Sequence, residues 1–298
     1  MEKSFILSCE STVDLPYAYV SGRGLPVLFY SYTVNGREYE DDMGRDPAAL
    51  PNFYSMLRTQ IPSTAQLNEF AYEQFFTNLL EQGDVLHIAL GTGMTQSVEN
   101  ARAAAASLAG RFPGRRLEVI DSLCSSSGYG LLVDAAADLR EEGRSLDEVS
   151  RWVMENRMKV HHQFYSTDLQ YYRRSGRMSG AAATVGAVLN ICPIMRLDDG
   201  GRIIAYDKVR GKRKARERTL EMMLQHARGG ADYAEKCFIC HSDCPEEAQA
   251  LRDLLAAHFP HIKGDIRICD IGTIIASHCG PGTVAVFFFG DEREPYQK

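Results

Sequence analysis

Residues 84–95 read DVLHIALGTGMT: an apolar run, a polar glycine turn, then the Ala-rich stretch TQSVENARAAAASLAGRF. The same order recurs at 3–16, where KSFILSC leads into ESTVDLP, and at 115–130, where RRLEVID leads into SLCSSSGYG. Short buried runs that alternate with turns and helix-like stretches are the pattern of a parallel sheet with crossover helices. The Ala-rich stretch ends at Gly110, which predicts a helix with Thr95 near its N-cap. Ser145 and Glu148 have capping-box spacing and predict a further helix that closes this first half near Met158.

Past that point the pattern changes. HQFYSTD (162–168) reads as a strand, LQYYRRSGRMSGAAATVGAVLN (169–190) as helical turns broken by glycines, and CPIMRLDDGGRIIAYDKV (192–209) as a hairpin around Asp198 to Gly201. KCFICHS and TVAVFFFG read as two more strands, separated by the helix CPEEAQALRDLLAAHF. A chain of 298 residues is long for one hydrophobic core. The expected architecture is α/β in two domains: residues 1–160 as an N-terminal parallel-sheet α/β domain, and 161–298 as a C-terminal mixed α+β domain.

Composition narrows the function classes. At 45% apolar and 24% charged, the chain has an ordinary globular balance. Its net charge of -6 argues against general affinity for nucleic acid. Val284–Phe289 is far too short an apolar stretch to span a bilayer, and Met1–Cys9 lacks the apolar core of a secretory signal. A cytoplasmic protein with no transmembrane segment is expected, its eight cysteines reduced thiols.

CFICHSDC (237–244) contains the C-x-x-C-H spacing of haem attachment and of some zinc sites. On a strand, however, Cys237 and Cys240 point to opposite faces about 10 Å apart, too far for ligand bonds of about 2.3 Å. Cys240, His241 and Cys244 could still converge at the strand end, but a second Cys or His pair at the required spacing is missing. Buried strand cysteines are the plainer reading, with Ser242 or Asp243 capping the helix that starts at Pro245.

Three turns concentrate hydroxyls, glycines or histidine. Ser11, Thr12 and Asp14 follow the first strand; Ser63, Thr64 and Gln66, with Thr92, Thr95 and Ser97, precede helices; His278 stands beside Gly280, Pro281 and Gly282, read as a tight turn between strands. Hydroxyls and free N–H groups at such positions suit a carboxylate or phosphate, although each is also explained by capping alone. The run KVRGKRKARER is either a solvated face or a docking surface for an acidic partner. No P-loop, G-x-G-x-x-G or G-x-S-x-G motif occurs. Anion-holding groups without a persuasive nucleophile point to a binder.

Taken together, STVDLP (11–16), PSTAQ (62–66), GTGMTQSVENA (91–101), RRSGRMSGAAATVGAVLNICPIM (173–195), KVRGKRKA (208–215) and SHCGPGTVAVFFFG (277–290) resemble the DegV family, fatty-acid-binding proteins that serve bacterial fatty acid kinase. The resemblance implies a long-chain fatty acid with its tail in an apolar tunnel, between or within the two domains. It also implies a carboxylate held by Thr64, Thr95, His278 and Arg177, and kinase docking through the basic arm of Arg210, Lys212 and Arg213. The separate kinase would phosphorylate the acid to an acyl phosphate. The chain itself would be non-catalytic and need no metal or cofactor, with transient membrane contact as its one approach to lipid bilayers. Burying a dozen methylenes at about 0.8 kcal/mol each offers roughly 10 kcal/mol before immobilisation costs.

Three positions depart from the family pattern: Glu10 where Asp is usual, Ala65 after Thr64, and Gly91 in the loop that carries Thr95. The competing readings are a hydrolase of acyl or phosphate esters using His278 and Thr95, and a metal or haem protein built on CFICHSDC.

Overall fold

The computed structural model describes residues 5–178 and 191–295. In chain order, β1 (Ile6–Glu10) runs into a short 3-10 turn and α1 (Tyr17–Gly22), followed by β2 (Val27–Leu28), β3 (Ser31–Val34), β4 (Arg37–Glu40), α2 (Ala49–Leu57), β5 (Ser63–Thr64) and α3 (Glu69–Leu80). Next come β6 (Val85–Ala89), α4 (Ser97–Leu108), β7 (Leu117–Asp121), α5 (Ser126–Glu141) and α6 (Leu146–Asn156). The chain continues with β8 (Val160–Ser166), α7 (Gln170–Ser175), β9 (Ile191–Leu197), β10 (Ile203–Arg210) and α8 (Lys212–His226). It closes with β11 (Phe238–His241), α9 (Pro245–His258), β12 (Arg267–Asp270), α10 (Thr273–Cys279) and β13 (Thr283–Phe289).

β2, β1, β6 and β7 form a parallel sheet in that order. β10, β9, β8, β13, β11 and β12 form a second sheet, antiparallel except for the β11–β12 pair. The expected α/β fold with a parallel N-terminal and a mixed C-terminal sheet is therefore the observed one. Every residue of β6, β8 and β13 is buried, as expected of strands covered on both faces. A small antiparallel sheet, β4-β3-β5, has no counterpart in the sequence reading.

Local expectations divide. Ser145 and Glu148 form the reciprocal capping box at α6, and β9 and β10 pair antiparallel around Asp198–Gly201. The N-cap of α9 is Cys244 rather than Ser242 or Asp243; Ser242 Oγ instead donates to Gly280 O and accepts from Thr283 N. Gln96 is the N-cap of α4, so Thr95 stands next to the N-cap as expected, and its Oγ1 accepts from Ser97 N. Of the helical turns read over 169–190, α7 is observed, and the remainder from residue 179 lies outside the described residues.

Helix α5 lies between the two sheets, packed on β1 on one side and on β8, β11 and β13 on the other. Its Gly128 permits that approach, since a Cβ there would stand 2.3 Å from His162 Nε2 and 2.6 Å from the Phe287 ring. The glycine costs helix propensity but brings the mixed sheet against the helix.

Candidate functional site

A cavity of about 750 Å³ opens where loops of the parallel sheet meet the mixed sheet and α10. Thr64, Thr95, Arg177 and His278 all line it. Much of the remaining wall is apolar, with Phe164, Tyr172, Ile203, Ile274 and Phe287 among its members. No aspartate or glutamate is found among the described lining residues. The volume falls within the range of roughly 300–1,000 Å³ usual for ligand pockets.

Thr64 ends the short β5, paired in register with Tyr32 of β3 rather than placed at a helix N-terminus. Its Oγ1 lies 2.8 Å from Nε2 of His278. His278 belongs to the last turn of α10, not to a turn between strands; Gly280 (φ +67°) stops the helix behind it. Burial, and secondarily the Arg177 charge, lower His278 to about 4, so the ring is neutral at pH 7. Arg177 is the cation of the cluster, its guanidinium donating to Ser175 O and, at 3.4 Å, to Met94 O. Burial lowers its pKa too, but a guanidinium stays charged at neutral pH.

The loops bearing Thr64 and Thr95 are tied together through Ser97. Ser97 Oγ accepts from Leu67 N at 3.1 Å and lies 2.9 Å from Thr95 Oγ1, while Asn100 Nδ2 donates to Leu67 O at 2.7 Å. Thr92, also singled out from sequence, instead donates its hydroxyl to Asp121 Oδ2 at 2.7 Å and so secures the loop base. Glycines set the loop's path: a Cβ on Gly93 would lie 2.1 Å from Gly201 O at the β9–β10 turn, and one on Gly91 would lie 2.8 Å from the Cys124 backbone.

Ser11, Thr12 and Asp14 do not reach this cavity. They are buried in the 3-10 turn that follows β1 and at its end, where Asp14 accepts from Ser126 Oγ and, at 3.0 Å, from Gly272 N. Glu10 is fully buried, accepting from Tyr72 Oη, from Tyr30 Oη at 3.3 Å and from Leu90 N at 2.9 Å. Because Tyr30 and Leu90 line the cavity, the Glu10 carboxylate braces its wall from behind. Ala65 lines the cavity directly.

Ser125 and Ser126 also border the cavity, as do Tyr30 and Arg202, none of them singled out from sequence. The signal for the serines was present: SLCSSSGYG places hydroxyls and glycines between a strand and a helix, as the other two loops do.

A hydrolase built on His278 and Thr95 would need those two in contact and a carboxylate to orient the ring. His278 Nε2 is engaged by Thr64 instead, and the cavity wall carries no acid among the described residues. Cys240, His241 and Cys244 do not form a metal-ready group: Cys240 Sγ lies 3.4 Å from Ser126 Oγ, Cys244 Sγ points at Thr283 O, and His241 Nε2 faces Asp270 at 3.5 Å.

The basic run forms the end of β10 and the first turns of α8. Arg216 pairs with Glu247 at 2.6 Å and Arg218 with Asp207 at 2.9 Å. Arg210, Lys212 and Arg213 are exposed, and only Arg213 has an acidic neighbour among the described residues, Glu217 at 3.6 Å. No described helix is long and apolar enough to cross a membrane.

The DegV family model, described as an uncharacterised protein family, matches residues 6–291. A DegV domain-containing protein of Clostridium perfringens is 34% identical over 298 residues, covering 98% of this chain and 100% of its own. A DegV family protein of Thermus thermophilus, whose structure is described as showing fatty acid binding, is 28% identical with a TM-score of 0.83, covering 97% of this chain and 100% of that one. A stearic acid-binding protein of Eubacterium ventriosum, at 19% identity and covering 96% and 98% of the two chains, shares the fold with a TM-score of 0.86.

Proposed function

The chain belongs to the DegV family, and on that premise we propose that it binds a long-chain fatty acid and presents the carboxylate to a separate fatty acid kinase. The observation that carries this reading is the cavity wall: a broad apolar surface around one cluster of Thr64, Thr95, His278 and Arg177, with no acid among the described lining residues. An apolar tail gains about 0.8 kcal/mol per buried methylene. A carboxylate meets hydroxyl donors and a guanidinium, with no aspartate or glutamate among the described lining residues.

In this reading Ser97 Oγ–H donates to Thr95, which frees the Thr95 proton for the carboxylate. His278 donates from Nε2 to Thr64, whose own proton is then free for the same anion. Arg177 supplies the opposing charge. The chain does no chemistry: the kinase transfers the phosphoryl group to a carboxylate oxygen that stays reachable. No cofactor is needed for holding or presenting the acid.

Arg210, Lys212 and Arg213 form the proposed docking surface. Lys212, Arg213 and Lys214 crowd the positive end of the α8 dipole, which is unfavourable for the isolated chain and favourable once an acidic partner covers them. Ile61 and Phe70, each 64% exposed, flank the Thr64 segment in sequence and are the residues suited to transient contact with a bilayer. The division into 1–160 and 161–298 and a cytoplasmic location belong to the same proposal.

Mass spectrometry of lipid extracted from purified protein tests the binding reading. A long-chain acid in near one-to-one ratio is the expected result; no acid retained, and none taken up when added, would sink it.

A further inference from the structure

Outside the cavity, three residues from three different elements converge. His161 lies on β8, His226 ends α8, and Asp291 follows β13. Their ligand-capable atoms all lie within 4.8 Å of one another. His161 Nε2 is 2.8 Å from Asp291 Oδ1, and His226 Nδ1 is 3.1 Å from Asp291 Oδ2. The two imidazole rings stack with centroids 5.1 Å apart, and the His161 ring stacks on Phe288 at the same spacing.

We infer that His161, His226 and Asp291 bind a divalent transition-metal ion of the zinc type. Two imidazoles and one carboxylate form a donor set suited to zinc and its neighbours in the first transition row. The donors are positioned by backbone, not by long flexible stems. Asp291 N donates to His226 O at 3.1 Å and Arg228 N to Phe289 O at 3.0 Å, so the end of α8 and the end of β13 are stitched together beside the ligands. Exposure is graded, with the His161 side chain 4% exposed, His226 14% and Asp291 59%. An ion would thus rest on a buried ligand and keep its remaining positions toward solvent.

Binding requires a proton shift on each ring and a small opening of the cluster. His161 Nε2 now lies 2.8 Å from Asp291 Oδ1 and 3.1 Å from Asp291 O, closer than two donors on one ion with bonds of about 2.0 Å stand apart. The nitrogen now facing Asp291 presents its lone pair to the ion, and the ring proton resides on the other nitrogen. Adjacent His161 and His162 project to opposite faces of β8, which separates this site from the cavity that His162 lines. From Thr283 to Asp291 the extended chain runs on the order of 25 Å. The ion would act as a clip: Arg293, just beyond Asp291, donates to Leu123 O in the loop after β7 at 2.9 Å, so fixing Asp291 fixes the segment that reaches back to the parallel sheet.

The test uses the full chain, stripped with chelator and titrated with Zn²⁺ by calorimetry and with Co²⁺ by visible absorption. One ion per chain is expected, with Co²⁺ bands of nitrogen and oxygen ligation and a thermal midpoint that rises when Zn²⁺ is added. His226→Gln and Asp291→Asn, both at solvent-reaching positions, should each weaken binding by about a hundredfold or more, the upper end of what loss of a merely supporting partner costs. Absence of saturable binding by the natural chain would overturn the inference. So would a thiolate-to-Co²⁺ charge-transfer band, which would move the ion to cysteine, or affinity unchanged in both variants.

Discussion

Thr64 Oγ1 and His278 Nε2 lie 2.8 Å apart although 214 residues separate them in the chain. The contact joins a strand of the small antiparallel sheet to the last turn of α10, and it faces the cavity. Thr64→Val keeps the shape and removes the hydroxyl. Fatty acid affinity should fall by roughly ten- to a hundredfold, the worth of a hydrogen bond to a charged acceptor. Displacement of a fluorescent fatty acid measures this, and the same value for natural and variant protein would remove Thr64 from the head-group site.

In the proposed complex, Arg177 on the cavity wall opposes the charge of the fatty acid carboxylate. Arg177→Gln should weaken a fatty acid by at least about tenfold while leaving a fatty alcohol of equal length nearly unaffected. Equal losses for both ligands would show that Arg177 shapes the wall and does not read the head group.

His278 is lowered from 6.5 to about 4, first by burial and then by Arg177. A folded-state pKa below the unfolded value means that the unfolded chain binds the extra proton between these limits. Its stabilising contribution is complete above about pH 6.5 and is lost as pH falls toward 4. Urea unfolding at pH 7 and pH 5 should show a smaller acid loss in His278→Gln than in the natural chain, by up to about 2 kcal/mol. Parallel pH curves for the two proteins would contradict this.

Gly93→Ala introduces a Cβ only 2.1 Å from Gly201 O. Backbone on both sides has to move, at a cost of about 1–3 kcal/mol for overpacking. Lower affinity should accompany the lower stability, because the displaced loop carries Thr95. A variant that is destabilised yet binds normally would detach the loop position from ligand geometry.

If these residues dock the proposed kinase, reversing the charge of Arg210, Lys212 and Arg213 together should leave fatty acid binding intact and slow phosphorylation of the bound acid by that kinase by an order of magnitude or more. The rate should also lose much of its dependence on ionic strength. Unchanged phosphorylation would place docking elsewhere.

The parallel sheet was legible because strands such as β6, buried on both faces, appear in the sequence as unbroken apolar runs followed by glycine turns. β3, β4 and β5 were not, being four residues or fewer and partly exposed. His278 was found as a residue and misplaced as structure, since the glycines after it were read as its turn when they are the stop signal of α10. The hydroxyl loops were legible one at a time, but only the tertiary fold shows that Thr92 serves Asp121 while Ser97 links the other two threonines' loops. His161, His226 and Asp291 had no local pattern at all, because three elements distant in sequence bring them together.

Gly93 lies under Gly201, and Gly201 Cα would in turn place a Cβ 2.8 Å from Leu123 O. Loops from the parallel sheet and the hairpin of the mixed sheet are thus interlocked at their backbones beside the ligand cavity. The cavity is therefore a product of assembly: neither sheet with its helices, expressed alone, would enclose it. A fatty acid would be expected to act as a fastener of the whole chain, protecting strands remote from it against hydrogen exchange as strongly as those it touches.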